Sequence, residues 1–183
     1  NKDKDKWVYP GDDKINIVCY HGTVSGCETD IGWKLEHGES TLSDFNAFQF
    51  GMFGDLHASN QILDKKGRFR YAGSAIQQNF GEDVDKGFLI WEIEDKDTFD
   101  VRFVSLTNPK PFITIELTKS GKLPKGAKAP EGCRLRLVSK HNLSMERLHR
   151  SVEVAKSRYK PESVVFLNRS AGVRTGVEIG EEF

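Results

Sequence analysis

The sequence has few of the features that mark secreted or membrane proteins. Its three cysteines (Cys19, Cys27 and Cys133) are odd in number and show no CxxC spacing, which argues against a disulfide framework. No apolar run approaches the roughly 20 residues that a membrane span requires, and no signal peptide opens the chain. Residues 1–6 are charged and start without Met, so we expect a cut or a disordered end there. These features predict a reduced, cytoplasmic protein with no membrane partner.

The chain also has no net charge, but this balance hides an asymmetry. Residues 1–107 carry 12 Lys and Arg against 19 Asp and Glu, a net charge of −7, and residues 108–183 carry 15 against 8, a net charge of +7. An acidic half suits cation binding and a basic half suits a phosphate backbone. The alternative is that both halves simply have solvated surfaces whose net charges differ by coincidence. With 37% hydrophobic residues and 12 Phe in 183 residues, the chain can form a packed core in one domain or slightly more.

The first half of the chain is predicted to form mainly β-structure. A β-branched run at residues 15–20 predicts a buried strand that carries His21 at its carboxyl end. A short helical turn and a buried strand at residues 47–53 are expected before Gly54. Further strands are predicted at residues 68–71, 87–94 and 99–106, and Asp95-Lys96-Asp97 is a hairpin-type turn between the last two. We therefore expect the middle of the chain to form a mainly antiparallel sheet.

The segment Asn108-Pro109-Lys110-Pro111 predicts a boundary between domains 1–107 and 108–183, since proline disfavours the continuation of either element. Beyond it we expect a strand at residues 112–117, a loop at 120–132 and a compact β-α-β unit. Strands at residues 134–138 and 163–167 flank a helix with Ser144 as its N-cap. Apolar residues recur at helical spacing at Met145, Leu148, Val152, Ala155 and Tyr159. The fold class expected is α/β to α+β.

Three possible metal ligands follow predicted strands, namely His21, Asp55 and His57. Ligands of α/β proteins gather outside the carboxyl ends of strands, and imidazole with carboxylate suits Mn²⁺, Fe²⁺ or Zn²⁺. An isolated Asp-x-His is common, so the argument depends on order. Strand-His-Gly comes first, then Gly54-Asp55-Leu56-His57, then Tyr71-Ala72-Gly73-Ser74 before Asn79-Phe80-Gly81-Glu82. We expect His21 and His57 to face a common cleft with Asp55 at its rim.

This order resembles the second half of a calcineurin-like metallophosphoesterase over residues 15–106, and most of all the SbcD family of DNA exonuclease subunits. In that resemblance His21 matches the single metal-binding histidine, and Asp55 and His57 match the two histidines of Gly-His-x-His. Tyr71, Gly73 and Ser74 match a Tyr-Pro-Gly-Ser loop beside the phosphate site, and Lys86-Gly87-Phe88 matches the strand that follows. The resemblance implies half of a metallophosphoesterase β-sandwich followed by a small β-α-β capping domain.

The same resemblance implies hydrolysis of phosphodiesters at DNA ends during double-strand-break repair or recombination. Two Mn²⁺ would generate a hydroxide nucleophile, with Mg²⁺, Fe²⁺ or Zn²⁺ as alternatives. In that family the motifs Asp-x-His, Gly-Asp-x-x-Asp and Gly-Asn-His-Asp normally precede the strand that matches residues 15–20, and the 14 residues before this strand contain none of them. No catalytic set is therefore complete, and the chain alone is expected to be inactive. The implied partners are DNA, the N-terminal half of the catalytic domain and an SbcC-like ATPase. A homodimer, nucleoid association and phage origin stay open.

Six basic residues in the second half are candidates for DNA binding through the implied capping domain. Contacts of this kind would depend on salt and ignore base sequence. A solvated helix with a basic face is the alternative. Two other functions are also left open: a non-catalytic module that binds nucleic acid or a protein partner, and a metallophosphoesterase that acts on small nucleotides. The six residues are Arg134, Arg136, Lys140, Arg147, Arg150 and Arg158.

Overall fold

The protein is described by a computed structural model that covers residues 8–9, 11–170 and 173–177. The expectation for residues 1–6 lies outside these ranges. The chain divides into two compact units, Asn1–Gln77 with Gly81–Thr107 and Gln78–Phe80 with Asn108–Phe183, called unit 1 and unit 2 below. The described residues form ten strands, one α-helix and a short 3₁₀ helix, a mixed α/β architecture consistent with α+β. Among these residues, no helix has the length and apolarity that crossing a membrane requires.

Unit 1 contains a four-stranded sheet in the order β1-β2-β4-β3. Strands β1 and β2 are parallel, β2 and β4 are parallel, and β3 runs antiparallel to β4. The carboxyl ends of three strands therefore lie at one edge of the sheet. The four strands are β1 (Ile17–His21), β2 (Phe50–Gly54), β3 (Gln61–Ile62) and β4 (Phe69–Tyr71).

Aromatic side chains cover both faces of β2. The ring of Phe53 lies 4.9 Å from that of Phe45, which ends the 3₁₀ helix Leu42–Phe45. The ring of Phe50 lies 5.0 Å from that of Phe99. Phe99 belongs to an antiparallel hairpin of β5 (Lys86–Ile93) and β6 (Phe99–Leu106). Because side chains alternate across a strand, residues three apart on β2 face opposite sides and hold different parts of unit 1 together.

The predicted strands of unit 1 are confirmed to within a few residues, but the expected antiparallel pairing is only partly right. The β5–β6 hairpin is antiparallel as predicted. Strand β4 is not part of a purely antiparallel sheet, since it pairs in parallel with β2. Strand β3 was not predicted. A two-residue strand cannot show the period-2 alternation on which sequence analysis depends.

Unit 2 contains the predicted β-α-β unit. Its sheet has the order β10-β9-β8-β7, in which β7, β8 and β9 are parallel and β10 is antiparallel to β9. Helix α1 (Met145–Tyr159) is preceded by Ser144 as its N-cap. The Ser144 side chain accepts a hydrogen bond from the Arg147 amide, as N-cap side chains do. The strands are β7 (Phe112–Glu116), β8 (Arg134–Ser139), β9 (Ser163–Ser170) and β10 (Val173–Val177).

The core of unit 2 is apolar and lies between α1 and the sheet. Leu135 and Leu137 of β8 are buried, and so are Leu148, Val152 and Ala155 of α1. Burial of each large aliphatic side chain contributes about 1.5–3 kcal/mol. The helical spacing in the sequence therefore marked the face of α1 that packs on the sheet, although Met145, included in the predicted pattern, is exposed.

Candidate functional site

The carboxyl edge of the unit 1 sheet brings two predicted ligands together. His21 is the last residue of β1 and lies opposite Gly54, the last residue of β2. Asp55 follows with a φ of 99°, a positive value that few non-glycine residues adopt. The Nδ1 atom of His21 lies 4.0 Å from Oδ1 of Asp55. The two side chains are therefore neighbours at the edge where the site was predicted.

Tyr71 holds the backbone next to this edge. It is the last residue of β4, and its side chain is fully buried. Its hydroxyl donates a hydrogen bond to the Gly22 carbonyl at 2.6 Å and accepts one from the Val24 amide at 2.9 Å. Burial raises the pKa of the Tyr71 hydroxyl, so it remains protonated. Tyr71 thus fixes the loop that follows His21, and its hydroxyl is already engaged there.

Gly73 and Ser74, in the loop that follows β4, pack closely against the chain around His57. Gly73 has a φ of 86°, and a Cβ atom at this position would lie only 2.7 Å from Cα of Ser59, so the close approach requires glycine. The Ser74 amide donates a hydrogen bond to the His57 carbonyl at 3.3 Å. The Ser74 hydroxyl is buried, and the described residues supply no hydrogen-bond partner for it. A buried donor left unpaired is costly, so an anionic oxygen bound here would satisfy it.

His57 is grouped with residues other than those predicted. Its Nδ1 atom lies 2.9 Å from Oε1 of Glu82. Ligand atoms of Asp30, His57 and Glu82 all lie within 4.8 Å of one another, and this group could hold a metal ion. The expected trio of His21, Asp55 and His57 does not form such a group among the described residues. Asp55 leaves the extended conformation, so the shared face expected of residues two apart in a strand does not apply.

Lys86 lies at the centre of this second group. Its side chain is 1% exposed. The ammonium Nζ donates hydrogen bonds to Oδ1 of Asp30 at 2.8 Å and to the His57 carbonyl at 2.6 Å, and lies 3.5 Å from Oε2 of Glu82. Buried charges occur where they are paired. Lys86 therefore supplies positive charge to both carboxylates that flank His57.

Sequence reasoning did not identify Asp30, Glu82 or Lys86 as site residues. Glu82 ends the motif Asn79-Phe80-Gly81-Glu82, and Lys86 begins Lys86-Gly87-Phe88. The two residues are four positions apart, which is a weak signal of an ion pair. Asp30 is 56 residues from Lys86 and lies in a loop, so no local pattern points to it. Only the folded chain brings it to the ammonium group.

Three of the six basic residues lie on or directly after β8, and each has a partner within unit 2. The Arg134 guanidinium lies 4.9 Å from the centre of the Phe112 ring and 3.3 Å from Glu162. Arg136 lies over the Phe80 ring at 4.7 Å and donates to the Phe80 carbonyl. Lys140 lies 2.7 Å from Glu116. The two arginines, at least, have packing roles inside unit 2.

The other three arginines line a groove of about 540 Å³ between α1 and the loop at residues 120–123. Arg150 also pairs with Glu146 at 3.0 Å, and Arg158 lies over the Tyr159 ring at 5.2 Å. Ser151 donates a hydrogen bond to the Gly121 carbonyl, which ties the loop to the helix. The groove thus combines basic walls with apolar surface. It is lined by Arg147, Arg150, Arg158, Lys122, Leu123 and Val154, among others.

Comparison with known proteins gives limited further information. No model of a protein family matches the chain. Over 126 residues, or 68% of its length, the chain is 27% identical to a protein of Acanthamoeba polyphaga mimivirus named "Uncharacterized protein R555". The matched stretch makes up 9% of that protein, so the chain is similar to a small part of a much longer viral polypeptide.

Proposed function

We propose that the chain is the carboxyl-terminal half of the catalytic domain of an SbcD-like, metal-dependent DNA nuclease, followed by its capping domain. The observation that carries this proposal is the shared carboxyl edge of β1, β2 and β4. His21 ends β1 opposite Gly54, Asp55 follows β2, and the loop with Gly73 and Ser74 follows β4. This is the edge at which α/β sheets bind ligands.

The donor atoms near this edge fit a divalent metal and a phosphate group. Imidazole and carboxylate are ligands of Mn²⁺, Fe²⁺ and Zn²⁺, and the unpaired Ser74 hydroxyl suits a phosphate oxygen. A pair of bound metals would supply a hydroxide nucleophile and clamp the phosphate. The chain's own contribution is to hold His21 and Asp55 at adjoining strand ends and to anchor the loops between them through Tyr71. The remaining ligands would come from the N-terminal half of the domain.

In this proposal the groove of unit 2 binds the DNA backbone. Arg147, Arg150, Arg158 and Lys122 place four positive groups around it. Phosphate contacts of such side chains carry no sequence information and release counterions. An SbcC-like ATPase remains the proposed partner for the assembled nuclease.

The proposal is tested on a polypeptide that supplies the three upstream motifs, fused ahead of residue 1 or added as a companion chain. With Mn²⁺ and linear duplex DNA, we expect cleavage that His57→Ala abolishes while DNA affinity stays nearly unchanged. His37→Ala is the matched control and is expected to retain cleavage. If the assembled protein binds DNA but never cleaves it with any of the four metals, the nuclease assignment is wrong.

A second candidate function is favoured by the groove itself, namely a module that binds nucleic acid without cleaving it. Cleavage by the assembled polypeptide separates the two candidates, and replacement of Arg147, Arg150 and Arg158 by Ala tests the DNA binding that both require. Both predict that the triple variant loses affinity for every sequence and that its log affinity falls less steeply with log salt, by about 0.9 per lost duplex phosphate contact. Cleavage of small nucleotides that the triple variant retains would instead favour a small-nucleotide phosphoesterase.

A further inference from the structure

We infer that Glu82, held in place by Lys86 and Asp30, is a positioning residue that fixes the His57 ring with its proton on Nδ1. The Nε2 atom then keeps its lone pair. The tautomer follows from the hydrogen-bond geometry together with the ionised form of Glu82, which the Lys86 ammonium 3.5 Å away favours. Only its use, as the nitrogen that binds metal in the assembled nuclease, rests on the proposed function.

The direction of the hydrogen bond between His57 and Glu82 decides the tautomer. The Glu82 side chain is 4% exposed, and its Oε1 atom lies 2.9 Å from Nδ1 of His57. An ionised carboxylate can only accept hydrogen bonds, so Nδ1 must be the donor. In a neutral imidazole one nitrogen donates and the other accepts, which leaves the lone pair on Nε2.

Lys86 holds both ends of this interaction. An ammonium group has three N–H donors, and here three oxygen partners surround it: Asp30 at 2.8 Å, the His57 carbonyl at 2.6 Å and Glu82 at 3.5 Å. One cation therefore fixes the backbone of His57 and also the carboxylate that orients its ring. The three side chains come from different places in the chain, so the ring orientation is set by the fold.

The same ammonium group argues against a metal ion held between Asp30, His57 and Glu82. A divalent cation bound there would lie close to a buried positive charge that already contacts both carboxylates. Repulsion between like charges is strong in a buried environment. A carboxylate that accepts a hydrogen bond from one nitrogen of a histidine, and thereby orients the other nitrogen, is a common arrangement around metal-binding imidazoles. Glu82 fits this supporting role.

Nitrogen NMR of the chain labelled with ¹⁵N-histidine tests the inference. At about pH 8.5 imidazole is neutral, and the two tautomers have distinct ring-nitrogen shifts. We expect His57 to be protonated mainly on Nδ1. His37, at an exposed position, should show the Nε2-protonated form that free histidine favours and serves as the reference within each spectrum. A His57 found in the Nε2-protonated form overturns the inference without any variant.

Substitution then tests the role of Glu82. In Glu82→Leu and Glu82→Ala, which remove the acceptor, the His57 signals should move toward those of His37, while Glu36→Leu, at an exposed position, should leave them unchanged. If a folded Glu82 variant of this kind keeps the Nδ1-protonated form, Glu82 is not the positioning residue. Should Glu82→Ala fail to fold, Glu82→Leu decides the question.

Titration of the unmodified chain with Zn²⁺ distinguishes the positioning role from metal binding. Any shift should appear at Nε2 of His57, and the proton on Nδ1 should persist. Loss of the Nδ1 proton on adding Zn²⁺ would show that Asp30, His57 and Glu82 hold the metal themselves and would overturn the inference. A nuclease assay that fails while the tautomer is as expected would count against the proposed function alone.

Discussion

The two units use charge in opposite ways. In unit 1 Lys86 and Glu82 are buried beside His57, the Asp30 side chain next to them is 12% exposed, and Lys86 is among the largest fully buried side chains of the described residues. In unit 2 the core is apolar, and the charged side chains of α1 lie outside it. Burying charge is costly unless it is paired, so a fold has little reason to do so for stability alone. Unit 1 thus combines an apolar core around β2 with a buried charge cluster beside His57, whereas unit 2 carries its charges on the surface of an apolar core.

The sharpest way to break this comparison is to remove the buried cation. Lys86→Met removes the ammonium group that Asp30 and Glu82 both contact, and breaking a buried pair in this way costs about 3–5 kcal/mol. All three tryptophans precede residue 107, in unit 1, so urea unfolding followed by tryptophan fluorescence measures the loss.

A control variant and a compensating variant accompany this measurement. Lys65→Met, at an exposed position, should change the free energy of unfolding by no more than about 0.5 kcal/mol. Adding Asp30→Asn to Lys86→Met should restore part of the loss, because it removes one of the two negative charges that the ammonium group had balanced. A loss below about 1 kcal/mol for Lys86→Met would mean that the network is not a buried charge pair in solution.

A smaller loss is expected from the core of unit 2. Leu137 is 1% exposed, and its replacement by Ala removes buried apolar contacts and leaves a cavity, at a cost of about 2–5 kcal/mol. Far-UV circular dichroism of α1 follows this unfolding. Val154→Ala, on the exposed side of the same helix, should have little effect. If Leu137→Ala moved the tryptophan transition as much as the helix transition, the two units would not be separate in stability.

The smallest effect concerns an ion pair on the surface of unit 2. The hydrogen bond from Lys110, with Arg134 nearby, holds the pKa of Glu162 below its usual 4.5. A carboxyl whose pKa is lower in the folded state stabilises the fold above its unfolded pKa, and that contribution is lost as pH falls through the folded pKa. Glu162→Gln should therefore weaken the dependence of stability on pH below about pH 5. Glu131→Gln provides a control. If the two variants had equal pH profiles of stability, the Glu162 ion pair would not contribute to the pH dependence.

Local patterns in the sequence predicted much of the secondary structure. The β-branched run before His21, the helical spacing from Leu148 to Tyr159 and the Ser144 cap each depend on neighbours within a few residues, and the structure contains β1 and α1 at these positions. The predicted positions of His21 at the end of a strand and of Asp55 directly after one were confirmed for the same reason. The two-residue strand β3 and the parallel pairing of β4 with β2 did not show in the sequence, because pairing partners are set by contacts far apart in the chain.

The sequence by itself therefore determined which residues end the strands of unit 1 and which face of α1 is buried, since period and chain order fix both. Only the tertiary structure decided the partners of His57. Asp30, Glu82 and Lys86 come from a loop, a turn and the start of a strand, and a buried charge network forms only where the fold excludes water from all of them at once. Their convergence on one imidazole depends on long-range packing, which spacing along the chain does not encode.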